Sequence, residues 1–430
     1  MALLYPNRWV GRRDFAPSAG VSRSGEAVYG CVMRNVVFVA PFPAETTMRF
    51  ARALRALDVR LLGIVSEAPG GVDAGLFHDV VRVEDALALD QLAGALAALR
   101  DRHGDIHRLL AILEPLQEHL AELRGHFGIE GMDAETAAGF RDKAAMKDRL
   151  RAAGVGCARH ALVTDGATAR AFASDVGYPV VVKPPAGMAC KATFQIGSDE
   201  ALEQAVAALS EGGPVLVEEF LQGREHSFDA VFVGGELKAA SMSQYGPSCL
   251  EVMRNDWIQW TTLLPVEPLD DAVVELGTRA ARTLGLSTGM CHAEWFRRPD
   301  GSMAIGEVAA RPPGAHFVRM IGLAHETSFY RVWARAAVDE QFDGPFDKRY
   351  AVGCAYLRGM GRGRVVGVEG LEPLQREIGE LVVEAELPQR GAPKRDTYEG
   401  DGHVVVRHPD TDVVAAALVR IVSAVRVRYG

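Results

Sequence analysis

In the stretch Cys291 to Gly314, CHAEWFRRPDGSMAIGEVAARPPG, two glutamates flank an Arg-Arg-Pro-Asp-Gly turn. A turn centred on Pro299 to Ser302 makes an antiparallel hairpin with Glu294 directly opposite Glu307, Cβ atoms roughly 4.5–5.5 Å apart. Carboxylates so placed repel each other, and a divalent cation relieves them, because hard carboxylate oxygens suit Mg²⁺. The competing readings are that one glutamate faces solvent, or that Arg297 or Arg311 pairs with it. Arg311 leaves the second strand at its end, on a backbone stiffened by Pro312 and Pro313. A guanidinium there can stabilise charge developing on a phosphoryl group, or it can form an ordinary ion pair with Glu294 or Glu307.

Only seven of the 47 cationic residues are lysines, so a lysine at a strand end is informative. Lys183 ends the apolar strand YPVVVK, where it can hold a phosphate or snorkel to solvent. Lys143 and Lys147 lie on or before one helix; one can reach inward while the other stays solvated. In VLVEEFLQGRE, strand alternation turns either Glu218 or Glu219 inward, where a carboxylate needs a donor. Glu225 repeats that problem, although sheet-edge solvation would account for each singly. The stretch SQYGPSCLEVMRNDWIQWTT is polar and aromatic enough to line a pocket, with Arg254 for a substrate carboxylate and Trp257 or Trp260 for a side chain. Packing of those tryptophans into a neighbouring subdomain is the alternative. Gly285 to Gly289 fits GxSxG but joins a helix to a strand, the reverse of a nucleophile elbow. Without a Gly-Lys dipeptide there is no Walker A loop.

The elements that must position these residues alternate. From Asn35, strand and helix patterns follow one another to about Gly139, which predicts an open α/β unit with a parallel sheet. Its first turn lacks GxGxxG. A helix ending at Gly154 opens a second, α+β unit, in which SFDAVFV-GG-ELKAASMSQ reads as a hairpin. Beyond Ala351, short β segments and a final helix make a closing subdomain. Residues 1–33 carry no period and read as an extension.

The chain has 430 residues, too many for one core. Its net charge of −9 offers no general attraction to nucleic acid or an anionic membrane. Six scattered cysteines without CxxC, no apolar stretch long enough to span a bilayer and no signal-peptide pattern predict a cytoplasmic protein with reduced thiols.

Taken in this order and spacing, these segments resemble the ATP-grasp superfamily over about Asn35 to Glu340. The implied fold is α/β plus α+β: an open parallel α/β domain (34–139), a small ATP-grasp subdomain (140–212), a large one with the metal pair (213–350) and a β-rich C-terminal subdomain (351–430). FRDKAAMKDRLRAAGV resembles the first lysine segment, which implies Lys143 at the nucleotide, and YPVVVKP implies Lys183 as the second. VEEFLQGRE resembles the hinge, implying adenine recognition by Glu218 and the backbone of Glu219, Phe220 and Leu221, with Glu225 on the ribose hydroxyls. HAEWF and GEVAARPPG imply Glu294 and Glu307 as ligands of Mg²⁺, with Mn²⁺ as an alternative, and Arg311 as the catalytic charge stabiliser.

The implied activity is that of an acid–amino-acid ligase. ATP turns a carboxylate into an acyl phosphate, and an amine displaces phosphate to give an amide or dipeptide. The closing segment looks like that of L-amino-acid ligases and, more distantly, of biotin carboxylase. Small-molecule carboxylate and amine substrates are expected, without nucleic acid or membrane partners; the resemblance is compatible with a homodimer. A carrier protein as acyl acceptor, or a non-catalytic nucleotide-binding module, are the competing readings. Two departures stand out. Ala309 occupies a position where the family often has an asparagine ligand, and the lid loop PPAGMACKATF is poor in glycine, with Lys191 its cation.

Overall fold

The computed structural model describes residues 33–187 and 192–430; the expected extension and Lys191 lie outside the described residues. The first unit runs β1 (Arg34–Val39), α1 (Glu45–Arg55), β2 (Val59–Val65), β3 (Asp79–Arg82), α2 (Leu89–His103), β4 (Ile106–Leu110) and α3 (Leu116–Phe127). Its four strands form a parallel sheet in the order β3-β2-β1-β4. Val36 to Val39 and Leu61 to Val65 are buried almost without interruption, as crossover helices on both faces require. Helices α4 (Ala134–Arg141) and α5 (Lys143–Ala152) lead out of it. Asp142 caps α5 by accepting from the Ala144 and Ala145 amides, and Gly154 takes the left-handed conformation beyond its end.

The small sheet follows: β5 (His160–Val163), α6 (Gly166–Val176), β6 (Val180–Lys183), β7 (Phe194–Ile196), α7 (Asp199–Ser210) and β8 (Val215–Glu219), with strand order β5-β8-β6-β7, all antiparallel. Strand β8 thus lies in the small unit, beyond the expected boundary at 212. Its apolar run pairs with both His160–Val163 and Val180–Lys183, which satisfies the backbone groups of a strand buried on both sides.

The large unit runs β9 (Arg224–Val233), β10 (Glu236–Gly246), α8 (Cys249–Arg254), β11 (Thr261–Leu264), α9 (Asp271–Thr283), β12 (Gly289–Arg297), β13 (Met303–Ala309), α10 (Phe317–Ala324) and α11 (Phe329–Asp339). The β9–β10 hairpin turns on Gly234 and Gly235, both at positive φ as a two-residue primed turn demands. The chain closes with β14 (Ala351–Leu357), β15 (Val365–Glu369), α12 (Leu371–Ile378), β16 (Val382–Glu386), β17 (Gly402–His408), α13 (Thr411–Ala424) and β18 (Arg426–Tyr429).

The closing strands do not form a sheet of their own. Strands β14, β17 and β16 continue the large sheet, whose order is β13-β12-β9-β10-β11-β14-β17-β16, while β15 pairs with β18. Strand β11 would otherwise present an open edge, and β14 pairs with it along Thr261 to Leu264. One apolar core extends from β1 through Trp260, Phe317 and Trp333 to Val405, so the first unit and the large sheet are packed together. Phe50 on α1 meets Tyr330 and Trp333 on α11 edge to face at 4.9 and 5.0 Å.

Candidate active site

The two metal-candidate glutamates are in register: Glu294 pairs with Glu307 across β12 and β13. Arg297 faces Met303, a count that would set Glu294 against Gly306, and a bulge between Glu294 and Trp295 shifts the register by one. Gly306 allows this, since a Cβ there would come within 3.0 Å of the Phe296 ring. The competing partners are occupied elsewhere. Arg297 bonds Asp270 at 3.2 Å, and Arg311 bonds Glu114 at 3.0 Å.

Lysines neutralise the carboxylates. Lys143, at the first turn of α5, places Nζ 2.9 Å from Glu307 Oε1 and donates to the Gly187 carbonyl at 2.9 Å, which ties the start of the loop after β6 to this helix. Both helix lysines point inward, contrary to the expectation that one is solvated. Lys147, one turn on, is fully buried and lies 2.6 Å from Glu218, whose other oxygen meets Lys183 at 2.9 Å. Burial would raise the Glu218 carboxyl, but Lys147 and Lys183 overcome it and bring it down to about 2. Burial also pulls Lys147 down against the attraction of Glu218. The Glu218 carboxylate is therefore engaged by two ammonium groups, where the resemblance implies a contact with adenine. The Glu219 side chain faces away, accepting from the Arg159 amide at 3.0 Å and from Arg298 at 2.7 Å.

Glu225, at the start of β9, is buried and accepts from the Cys249 amide at 3.3 Å. Burial first, and Glu294 second, push its carboxyl up to about 8. His292, in register with Asp229 on β9, sets Nδ1 2.7 Å from that carboxylate and Nε2 3.7 Å from Glu294. Burial disfavours its charge, yet Asp229 and Glu294 hold the imidazole up at about 9. Glu225, Glu294 and Glu307 thus stand close to Lys143, Lys183 and His292, and the opposed oxygens of Glu294 and Glu307 are a donor pair that fits a hard divalent cation.

These residues line two adjoining cavities. One, of about 670 Å³, is walled by Lys183, Glu218 to Leu221, Glu225, Glu294 and Glu307. The other, of about 140 Å³, is walled by Glu114, Lys143, Lys183, His292, Glu294, Glu307 and Arg311, with Trp260, Phe317 and Tyr398 as its aromatic side. Arg254 and Trp257 line neither: Arg254 bonds Gln195 of β7, and Trp257 is exposed.

Sequence reasoning missed Glu114, which holds Arg311 through Oε2 and Arg141 through Oε1 at 2.9 Å. It lies 197 residues from Arg311 with no local signal. Asp229 was accessible through the β9–β12 pairing; Tyr398, from the loop before β17, was not.

The fold is the ATP-grasp fold. Residues 141–251 match the family of the phosphoribosylglycinamide synthetase ATP-grasp (A) domain, so the chain carries an ATP-grasp domain. The L-arginine-specific L-amino acid ligase of Bacillus subtilis is 29% identical over 207 residues, 46% of this chain and 50% of that protein. The chain spans about half the length of the curated relatives it matches. Among solved structures, an L-amino acid ligase from Bacillus licheniformis superposes with a TM-score of 0.76 at 18% identity, covering 92% of this chain and 99% of that one. The biotin carboxylase domain dimer of Hydrogenobacter thermophilus 2-oxoglutarate carboxylase, in complex with Mg-ADP, gives 0.65 at 17%, covering 93% and 91%. Among the described residues no helix is long and apolar enough to cross a membrane.

Proposed function

We propose that the chain is an ATP- and Mg²⁺-dependent ligase that activates a carboxylate, that of an amino acid, and joins it to an amine with release of ADP and phosphate. The observation that carries this reading is the meeting of Glu294, Glu307, Lys143, Lys183 and Arg311 on one cavity wall. A likeness to L-amino acid ligases in sequence and in fold supports it.

In this reading the larger cavity takes the nucleotide. The backbone of Glu219 to Leu221 meets the adenine, Glu225 the ribose, and Lys143 and Lys183 the phosphates. Mg²⁺, or Mn²⁺ in its place, would be held by Glu294 and Glu307 and would neutralise charge on the phosphates. A carboxylate oxygen of the acid attacks the γ-phosphorus and ADP leaves. The amine nitrogen then attacks the acyl carbon, phosphate leaves with the acyl C–O bonding pair, and the amine gives up a proton. Arg311, steadied by Glu114, faces the charge on the transferring group. The small volume and aromatic wall of the inner cavity suit a compact organic acid.

The test is ADP release with Mg²⁺ and ATP across a matrix of amino acids, singly and in pairs, with products read by mass spectrometry. ADP that requires a pair and a product equal to both masses minus water is the expected result. ATP binding without turnover across the matrix would redirect the reading to a carrier-bound acceptor, and failure to bind ATP would overturn it.

A further inference from the structure

A groove of about 880 Å³ opens between β10–β11 and α13. Arg224, Arg358, Arg426 and Arg428 line it, and among the described residues no carboxylate does. This is a local reversal of charge in a chain of net −9. Of these arginines Arg428 is already paired, with Glu369 at 3.2 Å, while Asp256 is engaged by Lys394 at 3.5 Å.

Arg358 is the buried member, only 3% exposed. Its Nη1 donates to the carbonyls of Val252 at 2.8 Å and Ile258 at 3.1 Å, its Nε finds no partner, and among the described residues it makes no ion pair. Burial disfavours its charge and Asp256, Asp396 and Asp401 favour it from beyond ion-pair distance, so among the described residues no carboxylate touches the guanidinium and its Nε is left for an anion that enters the groove. Arg426 is likewise anchored, through Nη1, to the carbonyls of Val422 and Val425. Around these charges the rim is apolar: Trp257, Met360 and Val419 are 66, 67 and 62% exposed.

The groove adjoins the larger cavity, sharing Arg224, Tyr245, Gly246 and Pro247 with it. Tyr245 lines the groove and both cavities, stacking on Phe317 at 5.7 Å and meeting Trp260 edge to face at 5.2 Å. Its volume is that of a small-molecule site. A second copy of the chain fits less well, because a two-fold contact through this face would set arginines against arginines.

We propose that the groove is a second binding site, for an amphipathic organic anion whose carboxylate, phosphate or sulfonate meets Arg358 and Arg426 and whose apolar body lies on Trp257, Met360 and Val419. The inference depends on the groove alone and stands whether or not the ligase reading does. The test is a fluorescence titration of the full chain with 8-anilinonaphthalene-1-sulfonate in excess Mg-ADP, so that the nucleotide cavity does not compete. One saturable site is expected. Uncharged N-phenyl-1-naphthylamine should bind about tenfold more weakly, and Arg426→Gln and Trp257→Ala, each checked for an unchanged melting temperature, should weaken the sulfonate by about tenfold. Equal binding of the two probes, or sulfonate affinity indifferent to both substitutions, would overturn the proposal. So would sedimentation showing a dimer that Val419→Glu dissociates, which would give the groove to a second copy.

Discussion

Lys147 Nζ and Glu218 Oε1 meet at 2.6 Å where neither residue reaches solvent to any useful extent, Lys147 being wholly buried. The pair fastens α5 to β8, and with Lys183 on the other carboxylate oxygen it fixes where two of the site's ammonium groups stand.

Glu218→Gln should therefore be a stability variant before it is a binding one. Two buried ammonium groups would lose their counter-charge, at a cost of about 3–5 kcal/mol. Denaturant unfolding at pH 7 measures it; an unchanged free energy would return Glu218 to nucleotide recognition.

Glu307→Gln removes half of the opposed carboxylate pair and the partner of Lys143. Turnover should fall by at least about a hundredfold in kcat, ~2.7 kcal/mol of barrier. Steady-state ADP release checks this, and retained turnover would remove the metal assignment.

Glu114→Ala should act through Arg311. With both Arg141 and Arg311 released, kcat should drop about tenfold or more while KM for ATP stays nearly constant, since Glu114 lines the inner cavity and not the nucleotide cavity. A change confined to the KM for ATP would contradict a positioning role.

Glu384 on β16 bonds Arg49 of α1 at 3.1 Å and Arg319 of α10 at 2.7 Å. Burial alone would raise its carboxyl, but His403, Arg49 and Arg319 hold it well below the ordinary carboxylate range. Because the folded value is depressed, the stabilisation is complete above the unfolded value of about 4.3 and drains away as pH falls below it. Glu384→Gln should cost about 1–3 kcal/mol at pH 7 and progressively less towards pH 3.5, as read by urea unfolding. A gap that does not narrow on acidification would exclude this linkage.

How much of this was readable from the residues depends on how local each cause is. The opposition of Glu294 and Glu307 is a matter of a short turn and a period of two, so the sequence suggests it, although a bulge beside Gly306, and not the turn's centre, sets the register. Lys183 is legible as the end of a β-branched strand. The inward turn of both Lys143 and Lys147 is not, because packing of α5 against two sheets decides which helix face is buried. An inward carboxylate at either Glu218 or Glu219 is readable, but that it is Glu218, with partners arriving from α5 and β6, is not. Glu114 and Tyr398 reach the site only through long-range closure. The same holds for the closing strands, whose β pattern is plain while their choice of β11 as neighbour is not.

That choice of neighbour has a practical consequence. The hydrogen bonds that finish β11 belong to β14, so a cut after residue 350, the natural place to isolate a nucleotide-binding unit, would bare Thr261 to Leu264 as a sticky strand edge. Such a fragment should self-associate. Chimeras with relatives should take β11 and β14 from the same parent, because the backbone hydrogen bonds between them are the seam that joins the closing strands to the rest of the large sheet.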